Sequence, residues 1–287
     1  MRCDLHVHTI HSGMCTVPLL NRICRESYND PLEVYETLKR CGMDLVTITD
    51  HDSIDAAEIL RRYPDFFLSE EVSCETPGGT GFHMGVYDIT ERQHIELQRR
   101  RNDFFSLMAF LREEDLFFSL NHMYSGLTGR RTLTDFELFT NHFPAVEIRN
   151  GQLLASLNEA AVAYAERLAM APVAGSDAHS ISSVGSTCTE VHAARDAREF
   201  LMGLRYGRGV ACGESGGYTK LTRAVFEIAG ALMVERRWTL ALSPLALFIP
   251  VVTLGCWLRE IAFGQHWTLR TGSISDEPVQ QPQSAIM

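Results

Sequence analysis

Asp4-Leu5-His6-Val7-His8 stands almost at the start of the chain. Two imidazoles one residue apart share a face only in an extended segment, because strand side chains alternate. His6 and His8 then point one way, Leu5 and Val7 the other. Two histidines on one strand face are half a metal site. Taken alone they are equally two ordinary strand histidines, so the reading turns on the rest of the chain.

Working outward, strand-like runs recur, and polar residues cluster at their ends. Leu45 to Thr49 is β-branched and leads into Asp50-His51-Asp52. A run from Phe66 to Val72 carries Glu71, and Phe82 to Tyr87 carries His83. Leu116 to Leu120 leads to Asn121-His122, Ala145 to Ile148 to Arg149-Asn150-Gly151, and Pro172 to Ala174 to Gly175-Ser176-Asp177-Ala178-His179. Helical patterns lie between them, over about 31–41, 53–62, 91–114, 155–170 and 196–206. The first has a capping Asp30, Pro31 at its first position, Glu33, and Gly42 as its stop. Strand followed by helix, repeated about seven times, predicts a parallel α/β fold. Polar residues at successive strand ends favour a TIM-like barrel over an open doubly wound sheet, which gathers its site at one switch point. No dinucleotide fingerprint or P-loop is present.

The residues so collected are His6, His8, His51, Glu71, His83, His122, Asp177 and His179. Each alone reads as a satisfied core histidine or a turn acid. Together they offer ligands enough for two divalent metal ions, or three. Imidazole and carboxylate without thiolate suits Zn, Mn or Fe.

Five stretches carry a resemblance: Asp4 to Thr9, Thr49 to Ser53, Glu71-Val72-Ser73, Asn121-His122 and Gly175 to His179. In this order, over about residues 1–215, they resemble the motifs of the PHP (polymerase and histidinol phosphatase) family. The resemblance implies a distorted (β/α)7 barrel and metal-dependent hydrolysis of phosphate esters. It implies that His6, His8, Glu71 and Asp177 hold a first metal. Glu71 would bridge to a second held by His83 and His122, and His51 and His179 would serve a third. Asp177, His179 and His51 are then the candidate catalytic residues. Asp4, Asp50 and Asp52 would orient imidazole N–H groups. One position departs from the pattern. Where many members have Ser-Asp-Gly, this chain reads His11-Ser12-Gly13-Met14-Cys15, with Gly13 in the place of a third-site acid. His11 or Cys15 could substitute, or the third site is weak or absent.

The expected chemistry is attack on phosphorus by a water deprotonated between two cations. Arg149, and Arg130 or Arg131, are candidates to clamp phosphate oxygens. The expected substrate is a small phosphomonoester or nucleotide. A C–N hydrolase of amidohydrolase type also opens on His-x-His, but often uses a carboxylated lysine as bridge. Only Lys39 and Lys220 are present, neither at a strand end. A membrane-tethered metal or ligand sensor without turnover is the non-enzymatic alternative.

Composition sets outer limits. A chain of 287 residues, 45% hydrophobic, can bury a full core. A net charge of −10 argues against a nucleic-acid polymer as partner. Eight cysteines without C-x-x-C or framework spacing read as reduced thiols, and the opening charged residue and strand predict no signal peptide. The expected division is a catalytic domain over 1–218, a linker helix over 219–237, a transmembrane anchor over 238–258 and a disordered tail over 259–287. Residues 238–258 hold no charged residue, close to the ~20 that span a bilayer, and include Pro244 and Pro250. Lys220, Arg223, Arg236 and Arg237 before this stretch place the domain on the cytoplasmic face of a membrane.

Overall fold

Thr76-Pro77-Gly78-Gly79-Thr80 is too short to carry a strand back for parallel pairing, which needs a dozen residues or more. The computed structural model, which describes residues 1–17 and 20–271, accordingly has a hairpin there. Its strands are β1 (Arg2–Cys3), β2 (Ser69–Glu75), β3 (Gly81–Tyr87), β4 (Phe117–Leu120), β5 (Ala145–Asn150), β6 (Ala171–Gly175), β7 (Thr187–Val191) and β8 (Gly209–Gly213). Its helices are α1 (Pro31–Arg40), α2 (Ala57–Leu60), α3 (Glu91–Arg100), α4 (Phe104–Glu113), α5 (Leu133–His142), α6 (Ala155–Leu168), α7 (Ala197–Arg205), α8 (Tyr218–Glu235) and α9 (Ile249–Thr271).

The fold is mixed α/β, and the expected closed parallel barrel is not found among the described residues. Strands pair as β2-β3-β4-β5-β6 in one sheet and β1-β7-β8 in another. β2 and β4 each run antiparallel to β3 between them, while β4, β5 and β6 are parallel. The reversal at β4 has a simple cause. The expected single helix over 91–114 is two helices, broken at Arg101-Asn102 and restarted by Asp103, whose carboxylate accepts from Ser106 N. Two helices return the chain to the end it left, so β4 runs against β3. One helix each, α5 and α6, joins the parallel strands.

Of the strands expected at about 3–7 and 45–49, the parts beyond Cys3 touch their neighbours only at single bridges, Val7 with Ala178 and Val46 with Phe66, and His51 just after the second bridges Glu71. Side-chain oxygens take the N–H groups that a ladder would use. Val7 N donates to Thr49 Oγ1 (2.9 Å), His6 N to Asp4 Oδ1 (3.2 Å) and Thr9 N to Asp50 Oδ1 (2.5 Å). The core beneath is aromatic, with Phe82 meeting Phe104, Phe139 and Phe143 edge to face.

Beyond α8 a 3-10 stretch (Arg237–Phe248) leads into α9. Pro250 falls in the first turn of α9, where its missing N–H has no helical partner to lose. Residues 259–271, expected as the start of a disordered tail, are helical and packed: Trp267 is buried against Phe136, and Glu260 Oε2 accepts from Ser125 Oγ (2.9 Å) and Gly126 N (3.1 Å). The rest of the expected tail, 272–287, lies outside the described residues. Residues 237–271 are long and apolar enough to cross a membrane by length and composition.

Candidate metal centre

Glu71, in β2, is the hub. Its Oε2 lies 3.2 Å from His6 Nε2, 3.5 Å from His8 Nε2 and 3.2 Å from His51 Nδ1. Its Oε1 lies 3.1 Å from His122 Nε2 and 3.6 Å from His83 Nδ1. Asp177 Oδ1 closes the first group at 3.4 Å from His6 Nε2 and 3.3 Å from His8 Nε2, and His179 stands beside it. All the side chains singled out as ligands therefore converge, although they arrive from separate segments. The pairing explains how: Ser73 lies opposite His83 and Glu71 opposite Gly85, so Glu71 and His83 share a face of the β2–β3 hairpin.

These separations suit cations. Ligands ~2.0–2.2 Å from one ion in a tetrahedral set stand roughly 3.3–3.6 Å apart. His6 Nε2, His8 Nε2, Glu71 Oε2, His51 Nδ1, His83 Nδ1 and His179 Nε2 are buried without a hydrogen-bond partner. Each such orphan costs about 1–3 kcal/mol, and a shared positive ion would satisfy them together. Four overlapping donor groups could hold one: His6-His8-Asp177, His6-Glu71-His122, His51-Glu71-His83 and His8-His51-His179.

The charges sort themselves accordingly. Burial pushes His8 down to about 3, with His179 adding to the effect, and burial likewise holds His51 well below its ordinary value. Both imidazoles are neutral at pH 7, as metal ligands must be. Burial alone would also lower His6, but Glu71, Asp177 and Glu147 raise it well above its usual range. Against burial, the surrounding imidazoles hold Glu71 and Asp177 well below the usual carboxylate range.

The orienting groups differ from expectation. Glu147, buried in β5, carries no motif that points to it; its Oε1 lies 2.8 Å from His6 Nδ1, and its Oε2 accepts from His122 N (2.9 Å) and Asn150 Nδ2 (2.9 Å). With a cation in place of the Nε2 proton, the proton that Glu147 keeps on Nδ1 would leave the His6 Nε2 lone pair to the metal, on the side of Glu71 and Asp177. Asp50 acts through an intermediary: Ser12 Oγ donates to it (2.7 Å) and stands 3.0 Å from His8 Nδ1. Asp4 binds no imidazole; it accepts from the backbone N–H of His6, Ser176 and Gly185. Asp52 accepts from Ser73 N and pairs with Arg101. Asn121 donates to Glu71 Oε1 (2.9 Å) and Asn150 to Asp177 Oδ2 (3.0 Å). His122 and Asp177 have φ of 27° and 50°, sparsely populated for non-glycine residues and typical of functional positions.

Other candidates fall outside the cluster. His11 is 3.9 Å from Asp55 Oδ2, and neither it nor Cys15 joins a donor group among the described residues. Arg131 is buried, donating to Gly81 O (2.6 Å) and to Thr128, so its guanidinium is engaged, and burial lowers it to about 10. Arg130 is exposed, and Arg149 donates to Gly213 O (2.8 Å). Lys220, at the start of α8, is a further cation that the strand-end pattern does not mark; burial lowers its ammonium while Glu214, Asp4 and Asp177 pull it up.

The fold and cluster define a mixed α/β protein with donor groups that could hold divalent metal. Residues 155–208 match the family model described as PHP-associated. The fold is similar to a two-domain protein from Bacteroides vulgatus containing a predicted PHP-like metal-dependent phosphoesterase (TM-score 0.58, 15% identity, 79% of this chain and 69% of that one). It is also similar to PsfC from Pseudomonas syringae (TM-score 0.54, 17% identity, 81% and 98%). A third likeness is to an amidohydrolase from Chromobacterium violaceum with bound sulfate (TM-score 0.50, 14% identity, 70% and 96%). No curated protein matches the sequence.

Proposed function

We propose that this protein is a metal-dependent hydrolase of phosphate esters, acting on a small phosphomonoester or nucleotide. The observation that carries the reading is the double use of Glu71. One carboxylate oxygen faces His6, His8 and His51, with Asp177 closing on His6 and His8; the other faces His83 and His122. A carboxylate so placed would be shared between two cations, one held by each donor set. Divalent ions held there (Zn, Mn or Fe) supply Lewis-acid chemistry, neutralising phosphoryl oxygens and acidifying water. In this reading the chain's own groups do the rest. Glu147 keeps His6 in its ligating tautomer, Asp177 and His179 line the rim with His51, and Lys220 and Arg149 supply positive charge for substrate phosphate.

Glu71 also weighs against the amidohydrolase alternative, since a carboxylate already bridges the two donor groups. Lys39 pairs with Asp65 and Lys220 with Ser186. The test is a panel of phosphomonoesters, diesters and nucleotides with Mn, Zn and Fe. Turnover should appear with wild type and vanish in His8→Ala and Asp177→Ala. No turnover from wild type, or equal turnover from the variants, refutes the assignment and leaves a metal-binding sensor.

The reading includes a lipid surface as partner. Trp238, Leu245, Leu247, Phe248, Val251 and Val252 are exposed, and Arg236-Arg237 flank them. Both ends of this arm are held on one body, by Lys220 on Ser186 and by Trp267 against Phe136. An arm tied at both ends dips into one leaflet rather than crossing, with its arginines at anionic headgroups. Full-length protein should sediment with anionic vesicles and Leu247→Glu/Phe248→Glu should not; a wild type that stays in the supernatant excludes this.

A further inference from the structure

We propose that Glu26 supplies the acid that Gly13 lacks and, with His51 and His179, completes a third cation site. The proposal rests on the metal-dependent reading above and concerns a residue that no motif in the sequence points to.

The loop after Gly13 folds back on itself. Met14 pairs antiparallel with Arg25, Cys15 N donates to Cys24 O (3.0 Å) and Glu26 N donates to Gly13 O (3.1 Å). Glu26 is thereby laid directly beside Gly13. Its carboxylate turns inward, mostly buried, with Oε2 at 3.7 Å from His51 Nε2 and Oε1 at 3.8 Å from His179 Nε2. Those distances exceed a hydrogen bond. Each oxygen faces a different ring, so the carboxylate would meet a cation lying between the two imidazoles with both of its oxygens.

The imidazoles are prepared for this. His179 Nδ1 donates to Asp177 O (3.0 Å), which leaves the Nε2 lone pair free; that atom is buried without a hydrogen-bond partner. His51 turns Nδ1 to Glu71 and so presents Nε2 to Glu26. His8 stacks between the two rings, at 4.6 Å from His51 and 4.2 Å from His179, and its Nε2 is fully buried and unpartnered. Position 13 itself could not do the same work. It has φ +84°, a backbone conformation that L side chains rarely adopt, so an acid there would be strained.

The experiment is metal stoichiometry on full-length protein. Metal-free wild type and Glu26→Gln are saturated with Mn, freed of excess, and measured by elemental analysis; melting of both metal-free proteins confirms folding. Glu26→Gln should retain one Mn fewer per chain than wild type, and the Mn-induced rise in melting temperature should be smaller. Equal stoichiometry in the two proteins overturns the third-site assignment while leaving the two-metal reading intact. A wild type that retains no Mn, Zn or Fe overturns both.

Discussion

Glu147→Gln isolates the group on which the first donor set depends. Glu147 accepts on both oxygens: Oε1 from His6 Nδ1, Oε2 from His122 N and Asn150 Nδ2. An amide at this position keeps its single oxygen toward the side with two donors. Its NH2 then faces His6 Nδ1, which must become an acceptor, and the imidazole proton moves to Nε2. That nitrogen is the one facing Glu71 and Asp177, so the ligating lone pair is lost although nothing in the first donor set has been changed. Losing an outer partner of a ligating histidine costs typically 10–100-fold in metal affinity. That is about 1.4–2.7 kcal/mol, and Gln should sit at the upper end because it imposes the wrong tautomer. Glu147→Ala, which leaves Nδ1 merely unpartnered, should lose less. The assay is competition against a coloured chelator for Zn and Mn, with metal-free melting to show that the fold is retained. A Glu147→Gln protein that folds and binds within about twofold of wild type refutes the reasoning.

Local geometry sets three further outcomes. In Gly175→Ala the new methyl collides with the backbone N and Cβ of His6; melting should show a loss of about 1–3 kcal/mol or more, and unchanged stability would mean the two segments are not in contact. Lys220→Met should raise KM for a phosphate ester by at least about tenfold with kcat little changed; an unaltered KM removes Lys220 from the phosphate site. His94, 2.9 Å from the buried Glu70, is raised above its ordinary value by that hydrogen bond, with burial opposing. Its contribution is therefore full below about pH 6.5 and is lost as pH rises through the folded value, leaving Glu70, itself raised by burial, without a cation. The melting advantage of wild type over His94→Gln should shrink between about pH 6 and pH 9, and an advantage that grows with pH contradicts it.

How the strands run was only partly legible. Pro77-Gly78-Gly79 is a hairpin signal, and it alone contradicts an all-parallel sheet. The helix break at Arg101-Asn102 carries no glycine or proline, so the polar run reads as one continuous helix face. That single misreading converts an antiparallel neighbour into a parallel one. β7, Thr187-Cys188-Thr189-Glu190-Val191, alternates without a strong apolar face, because its threonines hydrogen-bond inward: Thr189 Oγ1 donates to Ala174 O and accepts from Ala174 N. Apolar periodicity does not register such a strand.

The candidate site divides along a different line. Residues whose role demands a particular chemistry, imidazoles and acids at the ends of extended runs, announce themselves by type. Residues that hold them in place do not. Glu147 sits between Val146 and Ile148, where alternation alone permits an outward acid just as well as an inward one. Only the arrival of His6 from the far end of the chain makes it an acceptor for Nδ1. Glu26 is less legible still, because its place beside Gly13 depends on a loop closing on itself and not on any spacing. Asp4 shows the converse: next to a ligand in sequence, it holds backbone together across 172 and 181 positions, to Ser176 and Gly185. Sequence proximity to a ligand therefore says little about which acid orients it. Ligand identity is a local property of the chain, whereas ligand orientation belongs to the topology, and the tautomer of His6 is set by a residue 141 positions away.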